Sequence, residues 1–483
     1  MLYLYYKNYN SGLALFKSCL VFILVLFLSA CVKQQYISEP VDTQQNYQDI
    51  VLKDHSSQEF KSFLQQHQYP TDSWPITTWD LKGLTLAAIY FNPEINVARS
   101  EIEVQKAGEI IAGQRPNPSV GIPLEHHDGS ADSPWFIGLV FDFLFERKDK
   151  RIAAQQQALA ERNAAEIKLQ QLAWSIYSDL HKHFLEYFAV SKQKEMLLSQ
   201  QKLLKNNLDL LTRRKEMGQV SQFELSRVRL ELQHLQLQIS DQNYSINNAF
   251  HNLIAITGLQ ADKFDKDNFR FDSLEQDSFD VALDESQLRR ELLNNRYDVK
   301  IKLKEYDALE SALRLEILKQ YPDINLSPGF IFDQGSNVWA LGASWVLPLF
   351  HNHEGEIKQA LAKRTQMQAE FVALQTELIN ELNRKHQNYI DKTASYKNSM
   401  NLLNELEARA KQVKKQFDLG YSDKLTLLQV SLELEKVKQA IFAFKVDVLR
   451  AMEQLERTTQ QAISDDGLLN VLTRNIYQES NSL

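Results

Sequence analysis

The chain repeats one pattern twice, at an offset of about 204 residues, and no other feature constrains its fold as strongly. Phe91–Ile95 aligns with Asn295–Val299 at that offset. Gly218 aligns with Gly420 at a nearly equal offset of 202. The two halves are therefore collinear, with almost no insertions, and each half is expected to fold into the same supersecondary unit.

The spacing of proline and glycine predicts very long helices. The chain has only 11 Pro and 15 Gly, with no Pro between Pro134 and Pro322 and none after Pro348. Because proline interrupts helices, such gaps permit uninterrupted helices over about 149–217 and 354–419. At about 1.5 Å per residue, the first of these helices would be roughly 100 Å long.

Apolar residues step by three and four through the segments that follow the two glycines. This heptad spacing predicts coiled-coil packing between the long helices. The two series stand at the offset of the glycines: Leu225, Val228, Leu232, Leu235 and Ile239, then Leu427, Val430, Leu434, Val437 and Ile441.

Each half also contains a predicted β-hairpin, over about 118–145 and about 322–349. Apolar residues there alternate with polar or small ones, as in Val120, Ile122 and Leu124. The four strands are about ten residues long, which is enough for a tilted strand to cross a bilayer. The interleaved residues would face a wet lumen: Ser119, Gly121, Glu125, Asp142, Asn325, Ser327 and Ser344.

The N-terminus has the pattern of a signal peptide. Lys7 and Lys17 precede an apolar run that is shorter than the roughly 20 residues of a membrane-spanning helix. The run ends in Leu28-Ser29-Ala30-Cys31, which resembles the lipobox of bacterial lipoproteins. That resemblance implies a lipidated Cys31 and, since Val32 follows, delivery to the outer membrane. The alternative is an ordinary secretory signal with an accidental cysteine.

These patterns together predict six segments. In chain order they are a lipoprotein signal peptide (1–30), an N-terminal leader (31–80), a first repeat (81–259, with a β-hairpin at about 118–145 and a helical hairpin at about 149–258), a connecting segment (260–284), a second repeat (285–463, with a β-hairpin at about 322–349 and a helical hairpin at about 354–463) and a flexible C-terminal tail (464–483).

Charge and motif content exclude two broad classes of function. The 54 Lys and Arg residues are outnumbered by 62 Asp and Glu residues, and the formal net charge of -8 leaves no basic footprint for nucleic acid. No nucleophile elbow, phosphate-binding loop or zinc-protease helix occurs in the sequence. We therefore expect a protein that is not an enzyme and that needs no cofactor.

Four strands cannot close a barrel, and an open sheet edge in lipid leaves backbone groups unpaired. The strands must therefore come from several chains.

Over about residues 80–463 the chain resembles the TolC family of outer-membrane efflux channels, which has this repeated order of helix, β-hairpin, long helix, Gly turn and long helix. Arg115–Pro118, before the first hairpin, and Leu347–Ile357, after the second, resemble the CzcC-like branch associated with heavy-metal efflux.

The resemblance implies a mainly α fold with a β-barrel part. A homotrimer would form a long α-helical coiled-coil barrel in the periplasm and a transmembrane β-barrel of twelve strands, four per chain. It would be a passive conduit in outer-membrane lipid that exports substrates, heavy-metal cations or drugs, with a periplasmic adaptor (membrane fusion) protein and an inner-membrane RND pump as partners. The alternative is a lipoprotein coiled-coil rod with a structural or adaptor role, which has no use for two lipid-length hairpins.

The two glycine turns are the predicted docking sites. Each should be a tight helical hairpin whose Gly closes the first helix in the left-handed conformation. In the family such tips meet the hairpin of the adaptor, and the resemblance implies that role for Gly218, Gln219, Val220, Ser221, Gly420, Tyr421, Ser422 and Asp423.

The same tips form the closed aperture of the family's channels, where acidic side chains make a selectivity ring. The matching positions in this chain are Thr426 and Gln429, which are not acidic. Glu224 and Asp423 are the nearest carboxylates and are the alternative gate candidates. Three copies of either around a threefold axis would concentrate negative field in the pore.

Two histidine clusters invite a metal-site interpretation. His126-His127-Asp128 lies in the first hairpin, and His351-Asn352-His353-Glu354 lies where the second hairpin meets a helix. Zinc needs three or four converging ligands, whereas adjacent residues of an extended chain point in opposite directions. The favoured interpretation is a polar loop and an Asn352 helix cap, with no metal site. His181 and His183 do not share a helix face either.

Overall fold

The structure is a computed structural model, and it describes residues 36–129, 133–276, 279 and 284–461. The predicted signal peptide, Cys31 and the predicted C-terminal tail (464–483) lie outside the described residues. The chain divides into two compact units, Met1–Leu52 and Lys53–Leu483.

The first unit contains the helix α1 (Thr43–Leu52). Asp42 precedes this helix, and its carboxylate accepts hydrogen bonds from the backbone N–H groups of Gln44 and Gln45 at 2.9 and 3.1 Å. Such bonds satisfy donors that the first helical turn leaves unpaired. Tyr47 and most other side chains of α1 are exposed.

The second unit begins with residues that the sequence analysis assigned to a leader. Two short helices form in and just after this segment, α2 (Gln58–Gln66) and α3 (Leu81–Phe91). Phe60 and Leu64 are fully buried, and both belong to the largest hydrophobic cluster of the chain. The leader prediction for 31–80 therefore needs correction: from residue 53 onwards this segment is part of the core.

The predicted two-fold repeat organises most of the second unit. Its first half contains α4 (Pro93–Gly113), α5 (Lys148–Glu216) and α6 (Gln222–Ala255). A 3-10 turn (Ala261–Lys263), α7 (Asp272–Glu275) and α8 (Glu285–Asn295) follow. The second half contains α9 (Tyr297–Lys319), α10 (Glu354–Asp418) and α11 (Lys424–Thr459). With 69 and 65 residues, α5 and α10 are each about 100 Å long at about 1.5 Å per residue.

Both hairpins join one antiparallel sheet. In chain order its strands are β1 (Ser119–Gly121), β2 (Leu124–His126), β3 (Trp135–Phe145), β4 (Ile324–Asp333) and β5 (Ser336–Trp345). The order across the sheet is β1-β3-β4-β5, and β2 also pairs with β3.

The first predicted strand is broken into β1 and β2, with Ile122 and Pro123 between them. Ser119 lies opposite Asp142 and Leu124 lies opposite Ile137, so the register on β3 continues unchanged across the break. Pro123 has no N–H to donate to the ladder, although its carbonyl accepts a hydrogen bond from Gly138 at 2.9 Å. β1 and β2 therefore share one position beside β3, and the five strands of the described sheet occupy four positions.

The second hairpin is continuous, with ten residues in each strand. Gln334 and Gly335 form its two-residue turn with φ values of 46° and 102°. Positive φ at both central positions is the signature of a type I′ turn, whose twist matches that of the flanking strands.

The described residues of the connecting segment predicted at 260–284 pack on the core. A parallel bridge joins Trp79 to Phe269, and Phe264 and Leu274 are buried. The ring of Phe271 lies 5.0 Å from that of Phe184 on α5. This segment therefore covers the middle of the long helices, where Leu180, Phe184, Leu253 and Val448 from α5, α6 and α11 are buried together.

None of the described helices combines the length and the apolar character that crossing a membrane requires.

Substituting Phe60 tests whether the segment after residue 52 is structural. Phe60→Ala should lower the free energy of unfolding by about 3–5 kcal/mol, because it removes a fully buried aromatic ring. Tyr47→Ala, in the exposed α1, is the matched control and should change it by less than about 0.5 kcal/mol. Denaturant unfolding of the detergent-solubilised protein, followed by tryptophan fluorescence, measures both values. Equal effects of the two substitutions would contradict the assignment.

Candidate functional site

The two tips of the long helical hairpins have the same backbone geometry. Gly218 and Gly420 have φ values of 72° and 79°, the left-handed conformation predicted for them. Gln219 N–H donates to the carbonyl of Arg214 at 2.9 Å, and Tyr421 N–H donates to that of Gln416 at 2.8 Å. These six-residue bonds define a Schellman motif at the end of each first helix. A Cβ atom added at either Gly would meet nothing within 4 Å.

The tips differ in how the next helix begins. Ser221 precedes α6, and its hydroxyl accepts the N–H of Glu224 at 3.2 Å, which is an ordinary cap. Asp423 occupies the same place before α11 but makes no capping hydrogen bond. Its carboxylate instead accepts a hydrogen bond from Arg214 at 2.5 Å. This ion pair joins the end of α5 to the start of α11, so it connects the two tips within one chain.

The four gate candidates differ in whether they carry a charge and in whether that charge is paired. The side chains of Glu224, Thr426 and Gln429 are exposed, and in the described chain Glu224 forms no ion pair. Asp423 is neutralised locally by Arg214, whose hydrogen bond holds the pKa of Asp423 below its ordinary value. Of the two carboxylate gate candidates, Glu224 is therefore the one without an ion pair among the described residues. Sequence reasoning missed Arg214 because it lies 209 residues from its partner.

Apolar side chains are exposed at both tips. Met217 precedes the first Gly, while Leu419 and Tyr421 flank the second, and all three are mostly exposed. Exposed apolar groups clustered at the end of a helical hairpin do not stabilise the chain that carries them. These tips thus have the character of a contact surface.

The long helices form a layer with two open edges. α6 packs on α5, α5 packs on α11, and α11 packs on α10. Within the residues that the structure describes, no extensive packing joins α6 to α10. These two helices therefore each lack one neighbour.

The open side of α6 carries an apolar stripe with a spacing of seven residues. Phe223, Leu230, Leu237 and Tyr244 are 80, 66, 71 and 72% exposed. Such a stripe is a coiled-coil seam without its partner helix. It was missed in the sequence analysis, where only the buried series that starts at Leu225 was traced, although its seven-residue step is visible in the sequence.

The repeat shows what this stripe should meet. At an offset of 202, Phe223, Leu230 and Leu237 correspond to Leu425, Leu432 and Gln439 on α11. Leu425 and Leu432 pack against the buried leucines of α5 and α6. Gln439 accepts a hydrogen bond from Gln200 of α5 at 2.8 Å. The equivalent of α5 in the second half is α10, so the repeat predicts that the stripe on α6 packs on an α10 helix.

The sheet presents two chemically different faces. On one face, Asp142 accepts hydrogen bonds from Ser327 at 2.5 Å and Ser119 at 3.4 Å. The opposite face is almost wholly apolar and partly or fully exposed: Trp135, Ile137, Leu139, Phe141, Phe143, Phe145, Ile324, Leu326, Pro328, Phe330, Phe332, Asn337, Trp339, Leu341, Ala343 and Trp345. The edges formed by β1 with β2 and by β5 are unpaired among the described strands.

The histidine clusters lie in different surroundings. His126 and His127 are half-exposed and approach carboxylates of neighbouring residues. His351 and His353 lie with Glu356 at the start of α10. The predicted Asn352 cap is wrong: His353, with a φ of 59°, precedes the helix, and Asn352 instead donates to Glu354 at 3.2 Å.

His181 belongs to a buried charge cluster between α5 and α11. Its Nδ1 lies 3.4 Å from a carboxylate oxygen of Glu456. Burial alone would lower the pKa of His181, but the hydrogen bond and charge of Glu456 outweigh burial, so the pKa is raised. His183 is half-buried, and burial lowers its pKa. The two rings thus have separate environments, as their spacing predicts.

Comparison with known proteins places these features in a common architecture. No protein-family model matches the sequence. Over 302 residues the chain is 22% identical to the cobalt-zinc-cadmium resistance protein CzcC of Cupriavidus metallidurans, a match that covers 62% of this chain and 70% of CzcC. The solved Campylobacter jejuni CmeC outer membrane channel superposes with a TM-score of 0.63 at 13% identity, covering 94% of this chain and 98% of CmeC.

The outer membrane protein VceC from Vibrio cholerae superposes with a TM-score of 0.61 at 16% identity, covering 79% of this chain and 96% of VceC. The chain has the fold of the TolC-like outer-membrane channels. The resemblance stated from the sequence is thereby confirmed at the level of the fold: long helices and a small antiparallel sheet in one chain.

Breaking the ion pair between the tips should loosen them slightly. The pair is partly exposed, so we expect it to contribute about 0.2–1 kcal/mol. Arg214→Gln or Asp423→Asn should therefore speed amide exchange at both tips by up to about five-fold. Because the pKa of Asp423 is lowered, the stabilisation is present at neutral pH and is lost only as the pH falls through that pKa.

Hydrogen-exchange mass spectrometry at pH 7 measures this change. Lys436→Gln is the control, since it breaks a similar ion pair with Glu231, at 2.6 Å, farther along α11. It should leave exchange at the tips unchanged. The double variant Arg214→Gln, Asp423→Asn should exchange no faster than either single variant, and an additive effect would show that the two side chains act independently.

Proposed function

We propose that this protein is the outer-membrane channel of a tripartite efflux system and acts as a homotrimer. The observation that carries the proposal is that the helical layer and the sheet of one chain both end in unpaired edges. A single copy leaves both layers open, and a ring of copies closes both at once. The fold shared with outer-membrane channels supports the same conclusion.

In the sheet, closure requires β5 of one copy to pair with β1 and β2 of the next. The four strand positions alternate in direction, so this junction is antiparallel like the others. Three copies give twelve strands, an even number within the range of outer-membrane barrels. The apolar face would then contact lipid, and the face with Asp142 and Ser327 would line the lumen.

In the helical layer, closure requires α6 of one copy to pack on α10 of the next. The repeat specifies the contact. At an offset of 202, Gln200 of α5 corresponds to Leu402 of α10, and Gln439 of α11 corresponds to Leu237 of α6. Because Gln200 and Gln439 meet within a chain, Leu402 of one copy should meet Leu237 of the next. Both leucines are exposed, at 49 and 71%. Their burial between copies would bring two apolar side chains together at each of three equivalent seams.

Cysteine cross-linking tests this seam directly. In a chain with Leu237→Cys and Leu402→Cys, a short bismaleimide should link each copy to the next and produce dimer and trimer bands, with none larger, on a denaturing gel. Gln200→Cys with Gln439→Cys is the matched control, since that pair lies within one chain and should leave a monomer band. Only monomer bands from the first pair, or a ladder beyond three, would contradict the trimer.

The tips and the N-terminus complete the proposed assembly. The exposed tips at Gly218–Ser221 and Gly420–Asp423 would dock on a periplasmic adaptor protein that connects the channel to an inner-membrane RND pump. Lipidated Cys31 would hold the chain to outer-membrane lipid in addition to the barrel. The intact mass of the purified mature chain tests this anchor: an acylated mass that Cys31→Ser removes is expected, and an unmodified chain would refute it.

Heavy-metal cations are the proposed cargo. Support comes from the likeness to CzcC, which is described as a cobalt-zinc-cadmium resistance protein. The alternative cargo is organic drugs, since a wide wet conduit leaves selection to the pump. A structural or adaptor lipoprotein is the alternative class of function. The exposed apolar sheet face favours the channel, because a periplasmic rod would gain nothing from it.

Loss of the gene should sensitise cells to zinc, cobalt or cadmium, and the wild-type gene should restore resistance. The variant Gly218→Trp, Gly420→Trp should still insert and form trimers, because both Gly Cβ positions face open space and the strain of a left-handed Trp is confined to the tips. It should fail to restore resistance, because the bulky rings would block docking at the tips. A Leu230→Met protein, which keeps an apolar side chain in the seam, is the control and should restore resistance. Sensitivity to drugs alone would overturn the metal cargo, and full resistance with both Trp residues would overturn docking at the tips.

A further inference from the structure

We propose that His351, His353 and Glu356 form a binding site for one divalent transition-metal cation per chain, with Zn²⁺ as the best fit, at the junction between β5 and α10. Each residue offers one ligand atom, and these atoms lie within 4.8 Å of one another. The site belongs to a single chain, so it does not depend on the trimer or on the proposed cargo.

The backbone turn before α10 brings the three side chains together. His353 has a φ of 59°, a left-handed conformation that residues other than glycine rarely adopt. The sequence interpretation assumed an extended chain, on which adjacent side chains point in opposite directions. His351 and His353 are not adjacent, and at this turn their rings lie 4.9 Å apart, with their planes at 73°.

The distances are close to those of a metal site. Nε2 of His351 lies 3.1 Å from Oε1 of Glu356. Two ligand atoms on one tetrahedral zinc ion lie about 3.3 Å apart, because each bond is about 2.0–2.1 Å long. Glu316, at the end of α9, places Oε2 4.0 Å from Nδ1 of His353. Glu316 or a water molecule would supply the fourth ligand.

Two of the polar atoms in this cluster lack hydrogen bonds. Nδ1 of His353 and Oε2 of Glu356 are shielded from solvent, and neither has a hydrogen-bond partner in the described chain. Polar atoms in such positions cost free energy unless something binds them. A cation bound between them would satisfy both, whereas the His351–Glu356 contact alone satisfies neither.

The equivalent junction in the first half carries a permanent positive charge, the side chain of Arg147. Arg147 precedes α5 as His353 precedes α10. Its guanidinium lies 4.4 Å from the centre of the Tyr321 ring and 3.3 Å from Asp149. The second half has imidazoles at the place where the first half has a guanidinium. A metal ion bound there would give the second half the positive charge that Arg147 gives the first.

The donor set indicates which cation fits. Two imidazole nitrogens with one carboxylate suit Zn²⁺ and its neighbours among the first-row transition metals, while Mg²⁺ and Ca²⁺ prefer oxygen ligands. Three protein ligands with an open fourth position are common for zinc. The ion would join the end of the sheet to the start of α10.

Zinc binding to the full-length detergent-solubilised protein tests the proposal. The protein should carry no polyhistidine tag and should be stripped with EDTA. Calorimetric titration with Zn²⁺ should show one ion per chain, and Mg²⁺ should show none. His351→Ala with His353→Ala should weaken binding by at least about 100-fold, since loss of mere supporting contacts already costs 10–100-fold. Glu356→Gln should weaken binding in a chain of nearly unchanged shape.

His126→Ala with His127→Ala is the matched control and should leave zinc binding unchanged, because that pair lies on the other hairpin. Zn²⁺ should also raise the thermal midpoint of the wild-type protein and of this control, but not that of the His351, His353 variant. Absence of zinc binding in the wild-type protein, or equal binding in the His351, His353 variant, would overturn the proposal.

Discussion

Unpaired backbone groups at the two edges of the sheet are the constraint on which the rest of the structure depends. In the bilayer location that we propose for the sheet, no water would be present to satisfy the exposed N–H and C=O groups of β5 or of the broken strand β1–β2. A sheet with four strand positions is too narrow to close on itself, so in the proposed trimer its edges would pair with those of other copies. Of the two helices with an open side, α10 follows the edge strand β5 directly in the chain.

The internal repeat makes this closure possible, and the differences between its halves give each junction its own chemistry. Within a chain, Gln200 and Gln439 meet through a hydrogen bond. At the corresponding junction between copies, the repeat places Leu237 opposite Leu402. Three chains would then alternate polar and apolar contacts around a ring of twelve helices. Apolar seams suit contacts that form late, when folded copies meet, because their burial needs no precise alignment of donors and acceptors.

The long helices and the hairpins were predictable because their signals are local and repeated. Proline-free stretches, heptad spacing and two-residue alternation each extend over many residues. The break at Pro123, the core role of Phe60 and the turn at His353 depend instead on single residues within their folded surroundings. The Arg214–Asp423 pair depends on two helices that meet only after folding, so spacing along the chain carries no signal for it. The exposed stripe on α6 was visible in the sequence, but a heptad pattern alone does not show which of two seams a chain fills by itself.

The tips show how a small asymmetry between halves would bear on passage through the proposed channel. Arg214 neutralises Asp423, whereas Glu224 keeps an unpaired charge beside a Ser221 cap. A carboxylate paired with a guanidinium contributes little field at a distance, since the opposite charges largely cancel. Of these two carboxylates, Glu224 would therefore contribute more negative field at the aperture of the proposed channel than Asp423.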